Sequence, residues 1–81
     1  MSKEEILNRL QIIFQNVFDE DVSINEETKP SDIDGWDSLT QIVLLSAIQN
    51  NFGIDISMDE AITIDGVASI IKIIESKKKQ L

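Results

Sequence analysis

Asp37, Ser38 and Leu39 are the residues of this chain best placed to carry chemistry. A serine in the first turn of a helix keeps its hydroxyl outside the backbone hydrogen-bond ladder. It lies among free N–H groups at the positive end of the helix dipole. A phosphate ester on Ser38 would be well placed there. Asp-Ser at a helix start is also ordinary capping, so the motif gains meaning only from its surroundings. The nearby carboxylates Asp32, Asp34 and Asp37 show no apolar pocket or charged partner that would split their pKa values for acid–base work. Loop solubility and helix capping account for them. Asp19-x-Asp21-x-Ser23-x-Asn25 begins like a calcium loop, with oxygen ligands at alternate positions. It then fails, with Ile24 where that loop needs glycine and Pro30 where it needs glutamate, so no metal site is expected. The chain has no cysteine and no histidine. Disulfides, thiolate metal sites, a cysteine nucleophile and a Ser-His-Asp triad are therefore excluded in this chain alone. Nothing here supplies a nucleophile–base pair for an enzyme in its own right.

The elements that must position Ser38 can be read from periodicity and caps. Ser2 with Glu5 is a capping-box pattern that opens a first helix, with Ile6, Leu10, Ile13, Phe14 and Val17 on one face. Asp19 to Asp37 has no sustained periodicity and contains Pro30 and Gly35, so it reads as a loop. Loops of that length are uncommon in compact domains unless functional. Val22, Ile24 and Ile33 are expected to pin it to the helices. Asp37 is a good N-cap for a second helix over about residues 38–51. Its apolar stripe is read as Leu39, Ile42, Val43, Ile48 and Phe52, widened by Leu44, Leu45 and Ala47. So apolar a helix is expected to be heavily buried. Gly53 ends it. Ser57 with Glu60 opens a short helix near 58–62. Thr63 or Asp65 is expected to cap a last helix with Val67, Ile70, Ile71 and Ile74 as its stripe, and Lys77, Lys78 and Lys79 suit its C-terminal dipole. The expected fold is all-α: a small four-helix bundle, three main helices plus one short helix, with a long first loop. At 81 residues, residues 1–81 are read as a single domain.

Charge narrows the partners. Of the fifteen acids and seven bases, eight acids and one lysine fall between Asp19 and Asp37. Residues 38–54 carry no charge, yet Thr40, Gln41, Ser46, Gln49, Asn50 and Asn51 make that stretch too polar for a membrane span. A formal charge of −8 argues against nucleic acid and anionic membranes as direct partners and favours basic docking surfaces. Met-Ser-Lys-Glu-Glu at the N-terminus has no apolar signal core, so a cytoplasmic location is expected. A monomer is the expected state.

Gly35-Trp36-Asp37-Ser38-Leu39, followed by Gln41-Ile42-Val43-Leu44-Leu45 and Phe52-Gly53-Ile54, closely resembles the acyl carrier proteins. The resemblance covers length, helix layout, the long first loop and the position of Asp-Ser-Leu. It implies a covalent 4′-phosphopantetheine, taken from coenzyme A and esterified to Ser38 by a separate, magnesium-using phosphopantetheinyl transferase. Asp37 and Leu39 then flank the attachment site. The cofactor's thiol would hold acyl groups as thioesters, so the chain would carry intermediates without being an enzyme. Acyl-transferring or acyl-activating enzymes with basic patches are the implied partners, with Trp36, Asp37, Leu39 and Val43 expected at the docking surface. One departure stands out. Carriers of bacterial fatty-acid synthesis have carboxylates along the second helix, where this chain has Val43, Gln49, Asn50 and Asn51. The Trp-Asp-Ser-Leu form also resembles carriers dedicated to polyketide, peptide or polysaccharide-modifying pathways. A reading of another class is an acidic helical adaptor in which Ser38 is only a cap or a kinase site.

Overall fold

In the computed structural model, which describes residues 1–79, the described residues form four α-helices and no strand. They are α1 (Lys3–Val17), α2 (Ser38–Phe52), α3 (Met58–Ala61) and α4 (Val67–Lys79), with one 3-10 turn at Pro30–Asp32. The architecture is the all-α bundle of three main helices and one short one that the periodicity predicts. No helix among the described residues is long and apolar enough to cross a membrane.

The caps that define α1 and α3 use the same chemistry. The Ser2 hydroxyl accepts from the Glu5 N–H at 3.1 Å, and the Ser57 hydroxyl accepts from the Glu60 N–H at 3.1 Å. In both, the glutamate side chain reaches back to the capping residue's own N–H, so two otherwise orphaned donors are satisfied reciprocally. Gly53 closes α2 in the left-handed region at φ 64°, which favours glycine. The start of α4 departs from expectation. The Thr63 hydroxyl donates to the Glu60 carbonyl, and the Asp65 N–H donates to the Ser69 hydroxyl, so neither side chain caps the helix. Instead the first helical N–H, that of Val67, donates to the Thr28 carbonyl at 2.9 Å. Gly66 permits this approach, because a Cβ there would stand 2.8 Å from that same carbonyl oxygen.

The core lies where α1 meets α2 and α4. Ile6, Leu10, Ile13 and Phe14 of α1 are buried against Leu44, Ile48 and Phe52 of α2 and against Val67, Ile70, Ile71 and Ile74 of α4. The long loop is pinned as expected, with Ile24 and Ile33 buried and Val22 packed against the core. Gln11 secures it further. Its side chain donates to the Val22 carbonyl at 2.6 Å and accepts from the Ile24 N–H at 2.8 Å, which gives this stretch of loop a strand-like pairing partner from a helix. Lys3 pairs with Glu26 at 3.5 Å. At the far end of α2, the Arg9 guanidinium lies 4.3 Å from the centre of the Phe52 ring and bonds the Asn51 side chain at 2.9 Å. It also bonds the Asn51 carbonyl. The C-terminal end of α2 is thus held fast to α1.

Candidate functional site

Ser38 is the first residue of α2 and is exposed. The cap before it is made without its help. One Asp37 carboxylate oxygen accepts from the Leu39 N–H at 3.0 Å and the Thr40 N–H at 2.9 Å, while the Asp37 N–H donates to the Thr40 hydroxyl at 2.9 Å. The Thr40 hydroxyl in turn donates to the Gly35 carbonyl. The backbone N–H of Thr40, and then its hydroxyl, hold the Asp37 carboxyl below the usual carboxylate range. Asp37 therefore keeps its negative charge and its cap through the whole neutral and mildly acidic range. Gly35 sits at φ 87°, a conformation that side chains rarely adopt, and turns the chain so that Trp36 faces inward while Asp37 reaches the helix.

Trp36 packs largely inward and also lines the open surface beside Ser38. It is 8% exposed, its ring meets Phe14 edge-on with centroids 5.2 Å apart, and its indole N–H donates to the Gln41 side chain at 2.5 Å. A large apolar ring beside the α1 aromatics gains more from burial than from solvent, and Gln41 satisfies its single polar atom. Trp36 thus anchors the loop that presents Ser38.

The apolar stripe read for α2 also needs correction. Leu39 is 72% exposed and Ile42 67%, and Val43 is exposed with them. The buried face is Leu44, Ile48 and Phe52, four residues apart, with Leu45 and Ala47 at its margin. The reason is that α2 is apolar all round, so periodicity alone could not tell its inner from its outer face. Across from the exposed residues stand Met58 and Ile62, 80% and 77% exposed. Together with Ile42, Leu45 and Ala61 these side chains line an open groove of about 620 Å³ that starts at Ser38. Thr40, Gln41, Met58 and Ile62 were not singled out from the sequence. Thr40 had a signal, since it stands where a capping box places its second residue; Met58 and Ile62 had none, because only the packing of α3 brings them beside α2. Among the described residues no group of three or more acidic side chains converges to hold a metal ion.

The arrangement is a serine hydroxyl on a rigidly capped helix start, beside an open apolar groove. Comparison with known proteins gives the class of protein that uses it. Residues 8–74 match the family model described as "Phosphopantetheine attachment site". The chain belongs to that family. Among solved structures it is similar to the holo acyl carrier protein of Geobacter metallireducens, determined in solution by NMR, with a TM-score of 0.83 and 28% identity over 91% of this chain and 86% of that one. No curated protein matches it significantly.

As a carrier of this type the chain is not an enzyme, and its cofactor is a covalently attached 4′-phosphopantetheine. The residues present fit that group. Attachment needs an exposed hydroxyl that the fold does not use and space for a long flexible substituent, and both are found at Ser38. The bound group supplies a terminal thiol that can hold acyl groups as thioesters. Carriers of this type work with a phosphopantetheinyl transferase and with acyl-handling enzymes.

Proposed function

We propose that Ser38 is the attachment residue, that residues 1–81 act as one carrier domain, and that the carrier passes acyl groups between the enzymes of a dedicated pathway. One observation carries the first part: Ser38 is the exposed first residue of α2, spared from the cap by Asp37 and Thr40, at the mouth of the apolar groove. In the loading step the Ser38 oxygen forms a phosphodiester bond to the pantetheine phosphate. The pyrophosphate bond of coenzyme A breaks, its nucleotide half leaves, and the serine proton passes to a base of the transferase. This chain offers no histidine or cysteine for that role. Asp37 holds the helix start in place and presents negative charge to a basic partner, whose approach such charge accelerates.

The dedicated pathway is supported by α2 itself, which carries no charged side chain from Ser38 to Phe52. Val43, Gln49, Asn50 and Asn51 stand where carriers of bacterial fatty-acid synthesis are expected to present carboxylates. Their elongation enzymes should then bind this chain poorly. Replacing Val43 and Asn50, both exposed, with glutamate should improve that binding.

The test of the site is incubation with coenzyme A, magnesium and a phosphopantetheinyl transferase, read by intact mass and fragmentation. The expected result is one added group on Ser38, none on Ser38→Ala, and an unchanged helical spectrum in that variant. Addition that persists in Ser38→Ala would overturn the assignment. Efficient elongation of the wild-type holo-protein by a general fatty-acid synthase would defeat the dedicated pathway and leave the carrier assignment standing.

A further inference from the structure

The chain holds two Asp-Gly pairs, Asp34-Gly35 and Asp65-Gly66. In such a pair the glycine nitrogen can attack the aspartate Cγ, because glycine has no side chain to block the approach. The fold treats the two pairs in opposite ways. The Asp65 N–H donates to the Ser69 hydroxyl at 3.0 Å, and that hydroxyl donates to the Gly66 carbonyl at 2.8 Å. Gly66 is buried, and a Cβ on it would stand 2.8 Å from the Thr28 carbonyl oxygen. This pair is locked. Asp34 and Gly35 are both exposed, and no atom beyond the chain neighbours stands within 4 Å of where a Gly35 Cβ would lie. They are the central residues of a turn closed by one long bond, from the Trp36 N–H to the Ile33 carbonyl at 3.3 Å. Gly35 holds φ 87°, as the third position of a type II turn requires. Neither glycine N–H makes a backbone hydrogen bond among the described residues, so room to move is what separates the pairs.

We propose that Asp34 is a site of spontaneous isomerisation to isoaspartate, and that the change loosens the helix start that presents Ser38. The Gly35 nitrogen bonds to the Asp34 Cγ and gives up its proton, and a carboxyl oxygen leaves as water, closing a cyclic imide. Water then opens the ring. Attack at Cγ restores aspartate. Attack at the main-chain carbonyl carbon turns that carbon into the new side-chain carboxylate, and the backbone now runs through Cβ and Cγ. The composition is unchanged, but the main chain is longer by one carbon between Ile33 and Trp36. Those two residues are anchors, each 8% exposed, so the added carbon displaces what lies between them. Gly35 lies there, and its carbonyl accepts from the Asp37 N–H at 3.0 Å and from the Thr40 hydroxyl. These bonds seat the cap of α2. The consequence for loading at Ser38 rests on the carrier reading; the isomerisation does not.

The test ages the full unloaded chain at neutral pH and physiological temperature, as wild type and as Asp34→Glu. Glutamate keeps the charge, and its longer side chain disfavours the ring closure. Isoaspartate is located by lost cleavage with an endoprotease that cuts before aspartate. It is confirmed by methyl transfer from S-adenosylmethionine with an isoaspartate carboxyl methyltransferase, and the isoaspartate form is separated by chromatography. Trp36 is the only tryptophan, so acrylamide quenching of its fluorescence reads the turn without reference to loading. Isoaspartate should build up at Asp34 at least roughly tenfold faster than at Asp65, which must first open locally. None should form at position 34 of Asp34→Glu. In the isoaspartate form, Trp36 quenching should rise and transferase loading should slow roughly tenfold, as misplacement of a reacting group does. No isoaspartate at Asp34, or equal amounts at both pairs, would overturn the site. Isoaspartate there with Trp36 quenching and loading both unmoved would overturn the loosening of the helix start. A fresh chain that accepts no group would sink the carrier reading instead, with the isoaspartate and Trp36 readouts still deciding the proposal.

Discussion

Where α1 meets α4, the large apolar side chains face inward: Ile6, Leu10, Ile13 and Phe14 lie against Val67, Ile70, Ile71 and Ile74, all buried. Where α2 faces α3, the distribution is reversed, with Leu39, Ile42, Val43, Met58 and Ile62 exposed around Ser38. Both sides draw on large apolar side chains, with isoleucine among them on each. What differs is whether another helix covers them. Large apolar residues grouped on the surface of a small domain mark a ligand or partner site. The difference teaches that covered and uncovered apolar surface are divided between the two sides: α1 and α4 hold the fold, and α2 shares its inner face with them while its outer face and first residue stay exposed, as the proposed attachment at Ser38 requires.

The largest expected effect tests that division directly. Leu10→Ala on the closed side should lose about 2–5 kcal/mol, the usual cost of removing a fully buried leucine side chain. Leu39→Ser on the open side should change stability by no more than about 0.5 kcal/mol, as exposed substitutions do. Urea unfolding of the two variants measures both. Comparable losses would break the division, because they would show Leu39 contributing to the fold. A smaller effect sharpens it at the start of α4. Gly66→Ala would bring a methyl group to 2.8 Å from the Thr28 carbonyl oxygen. The loop or α4 must then shift, at a cost of about 1–3 kcal/mol. Unchanged stability in Gly66→Ala would mean that the bond between the Val67 N–H and the Thr28 carbonyl is not what fixes the start of α4.

The same division explains what could be read from the sequence. On α1 and α4 polar residues separate the apolar positions, so the helical period picks out one face, and that face is the buried one. On α2 the apolar residues run round the whole helix, so the stripe read from the sequence mixes Ile48 and Phe52, which are buried, with Leu39, Ile42 and Val43, which lie on the outer side. The buried set was settled by tertiary contact with α1 and by Arg9, which clamps Phe52 and Asn51 from another helix. Caps built from side chains within one segment, such as Ser2 with Glu5 and Ser57 with Glu60, were legible. The cap supplied by the Thr28 carbonyl was not, because a backbone group far away in sequence leaves no trace in residue type. The Asp37 cap that opens α2 at Ser38 is legible for the first reason. The packing of Trp36 against Phe14 is not, for the second, because Phe14 lies on another helix.

The smallest expected effect concerns acid, and it falls on the open side. Glu60 is held at a pKa of about 2, first by the Ser57 N–H and then by Lys77. Asp37 is lowered in the same direction, chiefly by the Thr40 N–H. Each carboxylate is bound more favourably in its charged form in the folded chain than in the unfolded one. Each therefore contributes stability above its unfolded pKa, and that contribution is lost as protons are taken up at lower pH. For Glu60 the window runs from about 4.5 down to about 2. Both groups are in contact with solvent, so screening keeps the effect small and salt reduces it further. The comparison to make is urea stability of the wild type and Glu60→Gln at each pH from neutral downwards. The gap between them should be steady at neutral pH and close across that window, since protonated glutamate and glutamine both lack the charge that Lys77 meets. A gap that stays constant into strong acid would show that shape, not charge, is what Glu60 contributes to α3, and the open side would then owe nothing to its ion pair.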